Sequence, residues 1–179
     1  MRQAAPELGD DRVVEVFSGQ VPLIATDTLR AVVKACAGER LALLTIQFAD
    51  PTGYGRIVRG HTGWAGDDIA GAAEATPVLA IVEQKDATEE QRQIREVYSG
   101  IMAVPARLLK GWLARLDNRN AQAEYYLTDV VKFAVADGVP VVAHCIDDAL
   151  QVAGINSPAQ LAELERAHQL RLARALMEQ

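Results

Sequence analysis

An apolar run from Leu41 to Phe48 gives way to Asp50-Pro-Thr-Gly-Tyr-Gly-Arg56 and resumes at Ile57-Val58. Both apolar stretches read as strands. In the connection Pro51 fixes one backbone torsion, while Gly53 and Gly55 admit positive φ and leave room beside the backbone. A strand that ends this way either makes a plain turn or brings bare N–H groups against a ligand. For an isolated Gly-Tyr-Gly the plain turn is the commoner outcome. Either way, the stretch fixes where one strand stops and the next begins, and the other elements must be arranged around it.

Upstream, Arg12 to Phe17 is a short β-rich run closed by Ser18-Gly19-Gln20. An open α/β sheet places its ligand beyond the carboxyl ends of its strands, so a turn of this kind makes Gly19 a candidate binding position. Thr26-Asp-Thr-Leu starts a helix, with Thr26 or Asp27 as its cap, which runs to about Ala37 and stops at Gly38. Strand, helix and strand in this order predict a crossover unit in a mixed, mostly parallel sheet of a Rossmann-like α/β fold. Segment 60–77, with glycines among small and polar residues, reads as a surface insertion whose Trp64 packs back on the domain or serves as a lid. Val78 to Glu83 resumes as a strand, and Thr88 with Gln91 forms a capping box. A strand over Glu96–Val104 precedes an amphipathic helix over Pro105–Leu116, its Leu109, Trp112 and Leu113 facing the core. A helix over Glu124–Ala136, a strand over Val139–Ala143 and a long helix from Pro158 to about Met177 complete the chain.

At 179 residues the chain is long enough for one domain with a real core. A formal net charge of −6 argues against a nucleic-acid binder, which would show a basic face, but not against nucleotides held by a few local cations. Cys36 and Cys145 lie far apart and outside any Cys-x-x-Cys pair, as expected of free thiols in a reducing compartment. No apolar run approaches the ~18 residues of a membrane span. The first residues carry no apolar signal-peptide core. These features predict a cytoplasmic protein.

Glu83 ends an apolar strand, where a carboxylate can accept two hydrogen bonds from adjacent sugar hydroxyls or form a salt bridge with a nearby cation. Asn156, followed by Ser157-Pro158, has the look of a helix cap. In Glu124-Tyr-Tyr-Leu-Thr-Asp129, helical spacing sends Tyr125 and Leu127 to the core. His144-Cys145 has no catalytic partner in view, and neighbours on a strand point to opposite sides. His61 and His168 read as solvated.

Three stretches in this order, Asp50–Arg56, Ile81–Ile94 (Ile-Val-Glu-Gln-Lys-Asp-Ala-Thr-Glu-Glu-Gln-Arg-Gln-Ile) and Asn120–Asp129 (Asn-Ala-Gln-Ala-Glu-Tyr-Tyr-Leu-Thr-Asp), closely resemble the uridylyltransferase domain of a bacterial bifunctional family. That family joins a UDP-N-acetylglucosamine pyrophosphorylase to a glucosamine-1-phosphate N-acetyltransferase. The resemblance runs from about Met1 to about Gln169. It implies that UTP and N-acetylglucosamine 1-phosphate give UDP-N-acetylglucosamine and pyrophosphate, with Mg²⁺, for cell-envelope sugars. It also implies that Gly55 and Glu83 meet the amino-sugar, that Tyr126 and Thr128 border its pocket, and that Asn156 helps hold Mg²⁺ and the phosphates. Residues 1–156 then correspond to the C-terminal part of the nucleotidyltransferase domain. Residues 157–179 form the helix that in relatives leads to the acetyltransferase.

The pattern departs from the family in four places. The Gly-rich loop and Lys of relatives have no counterpart, so the chain reads as truncated at its N-terminal side, and an unpartnered sheet edge is expected. Ser18-Gly19-Gln20 replaces Tyr-Gly-Asp, which turns the metal carboxylate into the neutral Gln20. Tyr98-Ser99-Gly100 replaces Asn-Thr-Gly, and Ala123 replaces a Gly. The alternative to an impaired enzyme is therefore a non-catalytic fragment or pseudoenzyme that binds a sugar or a protein partner. Without the trimerising acetyltransferase half, a monomer is expected.

Overall fold

The computed structural model describes residues 2–60 and 76–178. Its sheet is built around β5 (Glu96–Pro105). Along one edge of β5 runs β2 (Leu41–Gln47), antiparallel, and beside β2 lies β6 (Val141–Ile146), parallel. Two strands share the opposite edge end to end. β1 (Val13–Val16) pairs with Met102–Pro105, and β3 (Arg56–Arg59) touches β5 at Val97. The last strand, β4 (Val78–Val82), lies antiparallel to β3.

The sheet is mixed, as expected, but only β2 and β6 run parallel among the described pairings. The crossover formed by β1, α1 (Thr26–Cys36) and β2 does exist, and its two strands run the same way. β5 is wedged between them, antiparallel to both. Hydrophobic patterning reports that a strand is buried, not which strand lies beside it. β2 shows this directly. Leu41 to Ile46 are all buried, without alternation, because helices cover both faces of the sheet.

One face carries α1, whose Val32 and Cys36 pack on Ala42, Leu44 and Ile46. The other carries α3 (Ala106–Arg115) and α4 (Val130–Ala136), which bury Leu109, Trp112, Val130 and Val131 against Leu43, Ile57 and Met102. The capping box at α2 (Glu89–Arg92) forms as expected: Thr88 Oγ1 accepts from Gln91 N and the Gln91 side chain accepts from Thr88 N. α5 (Pro158–Met177) follows β6 with only Leu164 buried along its length.

Two local expectations are corrected. Neither Thr26 nor Asp27 caps α1. Its first turn is met instead by Gln151, whose Oε1 accepts from Ala25 N at 3.2 Å and from Thr28 Oγ1 at 2.6 Å, a partner 123 residues downstream. The helix expected over Glu124–Ala136 begins only at a 3₁₀ turn, Leu127–Asp129, because Ala123 takes a left-handed φ of 54° and Asn120 Oδ1 accepts from the amides of Gln122 and Glu124. With no helix there, the spacing argument for Tyr125 fails and its side chain is 60% exposed, while Leu127 does pack on the core. Most of the expected 60–77 insertion, with His61 and Trp64, lies outside the described residues. Its ends meet, Gly60 N donating to Pro77 O at 3.2 Å, between the two strands of the β3–β4 pair.

Candidate functional site

Arg56 is the residue at which β3 meets both neighbours, opposite Val82 in β4 and Val97 in β5. Gly55, Glu83 and Tyr98 are each one residue removed from that row. Successive strand residues face opposite sides, so these three come together on the far face of the sheet. Tyr98 N donates to Gly55 O at 2.9 Å. A Cβ built on Gly55 would stand 2.7 Å from Ile81 Cγ2 and 3.5 Å from each Glu83 carboxylate oxygen. Gly55 is therefore a gap in a row of side chains, with Glu83 on one flank and Tyr98 on the other.

The Glu83 carboxylate is held in place. Thr128 Oγ1, on the 3₁₀ turn that leads into α4, donates to Oε1 at 2.9 Å. Among the described residues Glu83 makes no ion pair and Oε2 accepts no hydrogen bond. The salt-bridge alternative is thus not realised, and one oxygen stays open. Thr128, buried and engaged with Glu83, orients the carboxylate from behind. The Tyr98 phenol is pushed far above its ordinary value, first by burial and then by the Glu83 charge. It therefore stays protonated at neutral pH and able to donate.

A second wall is clipped to the turn after Glu83. Asp86 Oδ1 accepts from Ala121 N, Lys85 Nζ donates to Gln122 Oε1 at 2.6 Å, and Gln122 Nε2 donates to the Tyr126 hydroxyl at 2.7 Å. The half-buried Tyr126 stands at the rim. Short polar links of this kind fix a loop without burying much apolar area.

The other candidates gather at the carboxyl ends of β1 and β6. Ile155 N donates to Gln20 O at 2.9 Å, which joins the Ser18–Gln20 turn to Gly154–Asn156. A Cβ on Gly19 would meet nothing within 4 Å, so the protein's own packing does not require glycine there. Asn156 is not the cap expected of it. Ser157 fills that role, its side chain accepting from Gln160 N, and the exposed Asn156 side chain is left outside the helix. On β5 the edge shared by β1 and β3 has no ladder pair between Val97 and Met102. Gly55 and the Gly19 turn therefore lie on either side of one opening in the sheet.

Magnesium does not fit the residues present. Mg²⁺ is bound through carboxylates together with phosphates and water. The candidate donors, Gln20 and Asn156, are neutral amides on segments joined by the Ile155 N–Gln20 O bond, and no cluster of three His, Cys, Asp or Glu side chains occurs among the described residues.

Thr128, expected to border the sugar pocket, also holds Glu83, and Arg56 adds a buried cation to the same turn that the motifs did not single out. The signal for Arg56 was available: a cation that opens a strand between Gly and Ile-Val must be buried with partners.

Along its whole length the chain is 65% identical to the bifunctional protein GlmU of Polaromonas sp. (strain JS666 / ATCC BAA-500), over 179 residues that make up 36% of that protein. It is 66% identical to that of Paracidovorax citrulli, again over all 179 residues and 35% of the relative. The chain belongs to the GlmU family. It spans about a third of the length of these curated relatives. GlmU of Aromatoleum aromaticum is 49% identical over 176 residues, 98% of this chain and 36% of that protein. Among solved structures, apo UDP-glucose pyrophosphorylase aligns with a TM-score of 0.61 at 12% identity, covering 95% of this chain and 58% of that one. A putative glucose-1-phosphate thymidylyltransferase from Bacillus anthracis in complex with a sucrose gives 0.60 at 14%, covering 93% and 58%. At such identities the likeness shows the fold, a Rossmann-like nucleotidyltransferase sheet. No family model matches. Among the described residues no helix is long and apolar enough to cross a membrane.

Proposed function

We propose that this chain carries the sugar side of an N-acetylglucosamine-1-phosphate uridylyltransferase and binds the amino-sugar end of UDP-N-acetylglucosamine. The observation that supports this most is Gly55 set between Glu83 and Tyr98, with one Glu83 oxygen pinned by Thr128 and the other open. A planar carboxylate beside a residue without a side chain accepts from adjacent ring hydroxyls at close approach. Gly19 and Asn156, across the opening, face the phosphates, and Tyr126 closes the rim.

In the reaction of this type, an oxygen of N-acetylglucosamine 1-phosphate forms a bond to the α-phosphorus of UTP. The bond from that phosphorus to the bridging oxygen breaks, and pyrophosphate leaves with the electron pair. Such transfers depend on positioning and on cancelling negative charge. The residues of this chain supply positioning: Glu83 fixes the sugar, and Gly55 admits it. The family implies Mg²⁺ for the charge, but the neutral pair Gln20 and Asn156 gives it no carboxylate. That pair favours a second reading, in which the chain binds the sugar nucleotide with little or no turnover. We place the protein in the cytoplasm as a monomer acting on UTP and sugar phosphates, not on nucleic acid.

Calorimetry and thermal melting with UDP-N-acetylglucosamine test the proposal. A ligand present at 100 times its Kd stabilises the fold it binds by about 2.7 kcal/mol, so Tm should rise. Glu83→Ala should abolish the rise. No shift at millimolar ligand would overturn the substrate assignment. Pyrophosphate release from UTP and N-acetylglucosamine 1-phosphate then separates the two readings.

A further inference from the structure

We propose that Arg56 is a positioning residue that clamps the two walls of the sugar site together from the opposite face of the sheet. Arg56 is 1% exposed, one of the largest fully buried side chains in the molecule. A buried guanidinium is ordinarily paired with a carboxylate, yet this one makes no ion pair among the described residues. NH1 donates to the carbonyl of Tyr54, in the turn that presents Gly55, and NH2 donates to Gln84 Oε1 at 2.6 Å. Nε is buried without a partner. Each engaged nitrogen thus holds a residue adjacent in sequence to a site residue, Tyr54 beside Gly55 and Gln84 beside Glu83.

The register explains why the clamp sits where it does. Arg56, Val82 and Val97 form one row across three strands, and Gly55, Glu83 and Tyr98 form the next. A guanidinium fork suits this task because it reaches two acceptors from one rigid plane, which a lysine ammonium does not. The spacing of the Gly55 gap from the Glu83 carboxylate is then set by a side chain that never touches the ligand. This inference rests on the sugar site proposed above.

The test uses Gln84, whose substitution leaves the buried cation in place. Gln84→Leu removes an acceptor, while Gln84→Glu keeps it and adds charge. Two amides report the walls directly: Tyr54 N, bonded to Pro51 O, and Asp86 N, bonded to Glu83 O. In Gln84→Leu we expect hydrogen exchange at both to accelerate at least tenfold, and affinity for UDP-N-acetylglucosamine to fall about tenfold, the size of one charge-assisted hydrogen bond. Exchange at Leu43 and Ile101 should stay unchanged, and Gln84→Glu should behave as the parent. Unchanged exchange at Tyr54 and Asp86 in Gln84→Leu would overturn the clamp. So would a Gln84→Glu protein that matches Gln84→Leu. If the parent chain does not bind the sugar nucleotide at all, the substrate assignment fails, and the two amides still decide whether Arg56 holds the walls.

Discussion

Gly55 is confined by its neighbours more than by its torsions. The nearest atom to a built Cβ is Cγ2 of Ile81, a branched side chain that is 2% exposed and has little freedom to move. Gly55→Ala is therefore expected to lower stability by about 1–3 kcal/mol, the usual penalty of overpacking, and to weaken sugar binding, as read from urea melts and calorimetry. A stable Gly55→Ala protein with parental affinity would show that the gap is not used. Ala123 presents the reverse case. It holds φ at 54°, a left-handed conformation that costs a residue with a Cβ about 1–2 kcal/mol. Ala123→Gly should raise the urea midpoint by an amount corresponding to about 1 kcal/mol, with no change in m.

At the scale of elements, two polar links hold segments that apolar packing alone would leave loose. Arg59 grips Glu96 through both carboxylate oxygens at 2.7 Å, and Thr45 Oγ1 donates to the same Glu96, so one largely buried carboxylate joins β3, β5 and β2. Removing one partner of a largely buried pair strands the other charge. Arg59→Met should cost about 3–5 kcal/mol in chemical denaturation. Asp137, just after α4, accepts from Trp112 Nε1 at 2.8 Å and from Arg115 NH1 at 2.7 Å, and so fastens α4 to α3. The indole hydrogen bond first, and the guanidinium after it, hold the Asp137 carboxyl below its ordinary value. A depressed folded-state value means that the unfolded chain binds the proton more readily. The stabilisation is therefore present above the unfolded value of about 3.9 and is lost as pH falls below it. Asp137→Asn should melt below the parent at pH 7, with the difference shrinking as pH drops through 4 and below. A constant difference would rule out the linkage.

For the molecule as a whole, stability is unevenly distributed. The centre of the sheet is sealed by helices on both faces. α5 buries only Leu164 and leaves Leu170, Leu172, Leu176 and Met177 more than half exposed, with Arg171 bonded to Asp148 as its link further along. Few buried contacts imply cheap local opening. Amides of α5 beyond Arg171 should exchange at least a hundredfold faster than those of β2, which open only with the whole fold. Among the described residues β1 pairs only with β5, and Phe17 at its end is 51% exposed.

Local chemistry was sufficient for whatever depends on near neighbours along the chain. The Gly-Tyr-Gly turn, the Thr88 box, the apolar face of α3 and the run of β2 followed from residue type and spacing, because turns, caps and amphipathic faces are decided within a few residues. The three ordered motifs carried the family. Contacts between distant segments were another matter. The insertion of β5 between β1 and β2, the grip of Thr128 on Glu83 across 45 residues and that of Gln151 on the start of α1 arise only once strands have chosen partners. That choice depends on global packing and backbone pairing, for which no single stretch of sequence holds a local signal.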